Sequence, residues 1–132
     1  MSMHVIVCSN SRELVEASSR LFEDDGSRLT LCESGMEVLG AVEVVDADLL
    51  VLDLETPGLN GLLMIAAIRE LAPELPIVAV SAKPQVDARV VSHKGVWYAT
   101  LPPDLGGGVQ VLLAGLTHVG RVGLASGAQV RQ

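Results

Sequence analysis

Aromatic side chains are scarce in this chain, with one phenylalanine, one tryptophan and one tyrosine in 132 residues. Phe22, Trp97 and Tyr98 are too few for the stacking platforms that hold single-stranded nucleic acid. Positive charge is short as well. Nine lysines and arginines against sixteen acids leave a formal net charge of −7. A phosphate backbone needs a basic face, so nucleic acid is not expected as a direct partner. The two cysteines, Cys8 and Cys32, lack the paired spacing of a zinc site. His4, His93 and His118 lie far apart in sequence and in no metal-binding motif, so no metal site is expected from them. No apolar run reaches the ~18 residues of a membrane span. The segment Met1-Ser-Met-His4 has neither the basic flank nor the apolar core of a secretory leader. A cytoplasmic location with reduced thiols is the expectation. No internal repeat is visible.

What remains is 49% hydrophobic and long enough for one domain with a real core. Short apolar runs alternate with segments of helical spacing. Strands are expected at His4 to Val7, Leu29 to Cys32, Leu49 to Leu52, Ile77 to Val80 and Val96 to Leu101. Between them, Leu14, Val15, Ser18, Leu21 and Phe22 recur at helical spacing, with Gly26 as a stop. Asn10 with Glu13, and Ser34 with Glu37, have the spacing of capping boxes. The second opens a helix through about Val45 that packs Met36, Leu39 and Val42. Leu62 to Leu71 forms the third helix. A weaker fourth carries Val86, Val90 and Val91. A fifth begins near Asp104 and packs Val109, Leu112, Leu113 and Leu116. Five strands alternating with five helices predict a parallel sheet covered on both faces. Right-handed crossovers favour a flavodoxin-like α/β sandwich in strand order 2-1-3-4-5. The domain is expected over residues 1–120, with a frayed tail at 121–132.

The centre of this pattern is Leu49 to Asp53, an apolar run that stops at a carboxylate. Pro57, Gly58 and Gly61 then break the chain. Asp53 should therefore sit at the carboxyl end of a central parallel strand, where open α/β sheets place their ligands. An aspartate there also caps loops, and position alone leaves both roles open.

The segment Asp53-Leu-Glu-Thr-Pro57-Gly-Leu-Asn-Gly61 resembles the phospho-acceptor segment of response-regulator receiver domains, the family of the chemotaxis regulator. The likeness extends over about residues 3–120. It implies Asp53 as the phospho-acceptor position. It implies Ser81, in Ala79-Val-Ser-Ala82, as the hydroxyl that bonds the phosphoryl group. Tyr98 takes the place of the aromatic that reports the switch. Two acids that hold magnesium in the family fall on Cys8 and Ser9, in Val5-Ile-Val-Cys-Ser-Asn10. The lysine that pairs with the phosphoryl oxygens falls on Leu101, and the bond before Pro102 is expected to be cis by the same resemblance. Magnesium prefers carboxylate and water oxygens, so no cofactor is expected unless the site works in the ordinary way. Glu55 adds negative charge at the rim. Lys83 either leans over the site in compensation or is a solvated loop charge.

The resemblance thus implies a degenerate receiver in two-component signalling, with no enzymatic activity of its own. Its expected partner is a signalling protein, either a histidine kinase or an output domain, or else a second copy. The expected contact is the face of the fourth helix, fifth strand and fifth helix, where Trp97 and Tyr98 lie. An ordinary phospho-accepting receiver using Asp53 stays open as an alternative. So does a small flavodoxin-like enzyme or ligand-binding domain. Other motifs are weaker. Cys8 and Cys32 end neighbouring strands and form either structural thiols or a redox pair. Gly106-Gly-Gly108 lacks phosphate-loop spacing and reads as a flexible helix start. No G-x-S-x-G elbow surrounds Ser81.

Overall fold

Continuous apolar runs become the inner strands of a parallel sheet because both faces of each run can be buried. The computed structural model describes residues 3–23, 26–81 and 96–100, with the side chains of residues 61, 62 and 97–100 outside that description. Its strands are β1 (His4–Cys8), β2 (Arg28–Cys32), β3 (Leu49–Asp53), β4 (Ile77–Ser81) and β5 (Val96–Thr100). The helices are α1 (Arg12–Glu23), α2 (Gly35–Val44) and α3 (Gly61–Leu71). All five strands pair in parallel in the order β2-β1-β3-β4-β5, the order expected from the sequence. The expected fourth and fifth helices, the tail and the Leu101–Pro102 bond lie outside the described residues.

The alternation of side chains along each strand divides the core into two layers. Ile6, Cys8, Leu50, Leu52 and Ile77 pack with Val38, Ala41 and Val42 of α2 and with Ile65 and Ile68 of α3. Val5, Val7, Leu49, Val51, Val78 and Val80 face the other way and meet Leu14, Ala17 and Phe22 of α1. Every residue of β3 and β4 is buried. Ile65 and Ile68 are fully enclosed, and burying such a side chain contributes about 1.5–3 kcal/mol.

Local chemistry sets the helix ends. The expected Asn10–Glu13 capping box gives way to a serine cap. Ser11, not Asn10, caps α1, its Oγ accepting from Leu14 N–H at 3.3 Å and donating to Glu13 at 3.1 Å. At α2 the expected cap holds, with Glu37 N–H donating to Ser34 Oγ at 3.2 Å. The Glu37 carboxylate reaches one residue further than a capping box requires, to Glu33 N–H at 2.8 Å. Asn60 caps α3 by accepting from Leu63 N–H at 3.3 Å. The buried stripe of α2 is Val38, Ala41 and Val42, while Met36 is 85% exposed. Met36 sits in the first turn of the helix, and α2 is apolar on several sides, so sequence spacing did not single out its inner face.

Between β3 and α3, Thr56-Pro57-Gly58-Leu59 makes a turn closed by Leu59 N–H to the Thr56 carbonyl at 3.1 Å. Gly58 has φ +74, which a side chain rarely adopts, and Pro before Gly is the residue pattern of a type II turn. Gly35 lets α2 approach this turn. A Cβ there would lie 3.3 Å from the Gly58 carbonyl oxygen and 2.8 Å from the end of Met64.

Among the described residues, Ser18 of α1 carries a buried hydroxyl without a hydrogen-bond partner. A buried polar group left unpaired is destabilising, and alanine is the better helix former. Ser18→Ala should therefore stabilise the fold by about 1 kcal/mol, measured as a rise in the urea midpoint at unchanged m-value.

Candidate functional site

The register that builds the sheet also builds its carboxyl edge. Cys8 pairs with Leu52 across β1 and β3, so the next residues, Ser9 and Asp53, come side by side. Both point to the α1 side, in step with Val7 and Val51. Asp53 is 4% exposed and Ser9 is 2% exposed. Ser9 Oγ donates to Asp53 Oδ2 at 2.7 Å, and accepts from Ser11 N–H at 2.9 Å. The other carboxylate oxygen, Oδ1, accepts from Glu55 N–H at 2.9 Å. That i to i+2 contact is the local turn an aspartate makes with its own backbone. Asp53 thus both ends the strand at the ligand edge and caps its loop.

Thr56 supports the same loop from beneath. Its Oγ1 donates to the Asp53 carbonyl at 2.7 Å, and the Cys8 carbonyl lies 3.5 Å away. Thr56 is 3% exposed. It escaped notice in the sequence, although a threonine three residues after a strand-ending aspartate is placed to satisfy that carbonyl. Ser81, at the end of β4, is also buried. Its Oγ donates to Glu55 Oε2 at 2.7 Å. Glu55 therefore spans the gap between strand ends, with its amide on Asp53 and its carboxylate on Ser81.

The Cys8 side chain meets this cluster only at its edge, through Thr56. Strand alternation turns it to the opposite layer, where its Sγ approaches the Ser34 carbonyl at 3.7 Å. It is the in-register partner of Cys32, as the neighbouring strand ends suggested, and both are free and buried. Burial pushes the Cys8 thiol up from 9.0 to about 12, against a weaker opposing hydrogen bond from Thr56. Burial also raises Cys32, and the Glu37 charge adds to it. Burial thus favours the protonated form of both thiols over the thiolate that redox exchange requires. Tyr98 lies on β5, opposite Ala79 in register, and its side chain falls outside the described residues. Lys83 and Leu101 fall outside them altogether.

The magnesium site implied by the resemblance can be tested on these donors. A hard dication wants several carboxylate and water oxygens. Here one buried carboxylate has both oxygens engaged by Ser9 and the Glu55 amide. Position 8 offers a protonated thiol facing away, and position 9 a hydroxyl already donating. Among the described residues no group of three histidine, cysteine or acidic side chains could hold a metal. The residues do not fit the ion.

A family model described as the response regulator receiver domain matches residues 5–97. Over 95 residues the chain is 32% identical to the DNA-binding transcriptional regulator NtrC of Klebsiella pneumoniae, a match covering 70% of this chain and 20% of that protein. Over 90 residues it is 31% identical to the response regulator MprA of Mycobacterium tuberculosis, covering 68% and 39% respectively. The chain thus spans between a fifth and two fifths of the length of these relatives. Among solved structures, the response regulator domain of Thermotoga maritima CheB matches with TM-score 0.75 at 18% identity, covering 92% of this chain and 96% of that one. The N-terminal domain of a response regulator/sensory box/GGDEF protein from Carboxydothermus hydrogenoformans matches with TM-score 0.74 at 20% identity, covering 93% and 98%. These two likenesses show the fold.

Two measurements follow from the site. Ser9→Ala removes a hydrogen bond to a carboxylate and should cost about 1.5–3 kcal/mol, read as a fall in the urea midpoint. Native Cys8 should resist iodoacetamide at pH 8 and react once the chain is unfolded. The raised folded-state pKa keeps the native thiol protonated between the unfolded value, 9.0, and about 12. The native state therefore holds more protons in that window, and stability falls as pH rises through it. That slope should be shallower in Cys8→Ala.

Proposed function

With residues 5–97 matching its family model, the chain belongs to the response regulator receiver family, and on that premise we propose that it is a degenerate receiver. It regulates through protein contact, and its acceptor site does not run the usual phosphoryl transfer. The single observation that carries this reading is the hydrogen bond from Ser9 Oγ to Asp53 Oδ2 at 2.7 Å. A hydroxyl donor stands where the family would have a carboxylate ligand for magnesium, and it occupies an oxygen of the acceptor itself.

Charge supports the same reading. Phosphoryl transfer is catalysed mainly by positioning and by neutralising developing negative charge. The sequence has leucine at position 101 in place of the family's lysine. The Glu55 carboxylate stands at the same strand ends, on Ser81. A phosphoryl group on Asp53 would meet that carboxylate, and two like charges ~4 Å apart repel by about 1 kcal/mol in water and ~4 kcal/mol at an effective dielectric of 20.

The partner in this reading is a histidine kinase, an output domain or a second copy of the chain. Contact is through the face around β5 and the helices expected beside it. The relatives named above are longer regulators, one of them described as DNA-binding. In this chain that output would be supplied by another protein or another domain, since its own net charge is −7. No helix among the described residues is long and apolar enough to cross a membrane.

Intact mass after treatment with acetyl phosphate and magnesium tests the proposal. No phosphoryl adduct is expected on the unmodified chain. An adduct that disappears in Asp53→Asn would establish Asp53 as a working acceptor instead. Cys8→Asp, Ser9→Asp and Leu101→Lys in combination should regain magnesium binding, detectable in the fluorescence of Trp97, the only tryptophan.

A further inference from the structure

Among the described residues, the Ser81 hydroxyl donates to a carboxylate from within the chain, that of Glu55. Glu55 is itself exposed, yet its carboxylate turns inward to the buried Ser81. Its backbone amide meanwhile holds Asp53 Oδ1. Two contacts from one residue therefore close the space between the ends of β3 and β4. Leu54 N–H, on the Val80 carbonyl at 2.8 Å, fixes the backbone on either side of that space.

We propose that Glu55 is the resident anion of this site, its carboxylate taking the Ser81 hydroxyl in place of a phosphoryl group on Asp53. This rests on the degenerate-receiver reading and specifies how the site is regulated: the ends of β3 and β4 are tied from within and need no modification to hold that arrangement. The physical reason is complementarity. A serine hydroxyl at a strand end donates to any well-placed anionic oxygen, and charge-assisted hydrogen bonds are the strong ones. A glutamate two residues beyond Asp53 is long enough to reach Ser81 while its amide stays on the aspartate. Tethering makes the interaction intramolecular, so no diffusing donor competes with it at equal terms. The consequence passes to β5 through the ladder, because Ser81 and Thr100 are in-register partners.

Amide spectra and hydrogen exchange of the full chain test this with Glu55→Ala, Ser81→Ala, the double variant and Glu55→Gln. Glu55→Ala and Ser81→Ala should move the same amides, at 80–81 on β4 and 99–100 on β5. The double variant should add little to either. Amide exchange at the end of β4 should rise by ~fivefold, as expected when a typical hydrogen bond is lost. Glu55→Gln keeps a carbonyl acceptor and should fall between the parent and Glu55→Ala. Additive shifts, or changes in Glu55→Ala confined to residues 54–57, would overturn the proposal even if no phosphoryl adduct forms. A phosphoryl adduct on the unmodified chain is read by mass and overturns the parent reading instead, so the two failures are told apart.

Discussion

A strand buried on both faces can end in a carboxylate only if polar partners meet it where the sheet stops. That constraint organises the carboxyl edge of this molecule. β3 is enclosed along its whole length, and Asp53 is almost as buried as the leucines before it. A buried carboxylate without hydrogen bonds would cost several kcal/mol. Ser9, the Glu55 amide and Thr56 supply the bonds to the side chain and the carbonyl. Each arrives because of the backbone: Ser9 through the β1–β3 register, the other two through the turn that follows. The Pro57-Gly58 turn then sends the chain into α3, whose Ile65 and Ile68 close the opposite layer. Site and core are thus one construction, and loosening the turn would disturb both.

The same register separates two neighbours that look equivalent in the sequence. Cys8 and Ser9 are adjacent, and both stand where the resemblance implies acids. Alternation along the strand sends them to opposite faces. Ser9 joins Asp53, while Cys8 goes to the layer of α2 and α3 and becomes a core residue. The two substitutions therefore have different consequences. The cysteine removes a charge from a place that is now apolar and well packed. The serine gives Asp53 a hydrogen bond where a carboxylate at the same position would repel it.

Most of the fold was legible because it rests on patterns that are local. Apolar runs of strand length, helical spacing and turn residues placed each described strand and helix within a residue or so. Right-handed crossovers limited the strand order, and the flavodoxin-like arrangement was the natural choice among those left. Cap identity was less legible, since Asn10 and Ser11 both carry cap chemistry and only the geometry of the turn after β1 selects Ser11. The inner face of α2 was obscured by apolar residues on several sides of the helix, which left Met36 indistinguishable from Val38. At the site, the sequence exposed which residue types stood at which positions. It did not expose the contacts that join them. Thr56 works through a backbone carbonyl, and a carbonyl leaves no trace in sequence. Glu55 reads as one more rim charge until the loop's path brings its carboxylate to Ser81.

These contacts bear on how the site can change. An incoming group that sought Asp53 would have to displace the Ser9 hydroxyl from Oδ2 or the Glu55 amide from Oδ1. It would also have to take Ser81 from the Glu55 carboxylate. Each displaced bond is worth roughly 0.5–1.5 kcal/mol, and up to ~3 kcal/mol where a charge is involved. A metal ion or a lysine would normally offset such losses, and Cys8, Ser9 and Leu101 supply neither kind of compensation. The free energy to alter this edge must then come from somewhere else. In the proposed reading a partner protein at β5 would provide it, because β5 pairs with β4 up to Ser81 itself. In that reading information would run from the contact surface toward the buried strand ends, the reverse of a switch driven by phosphorylation.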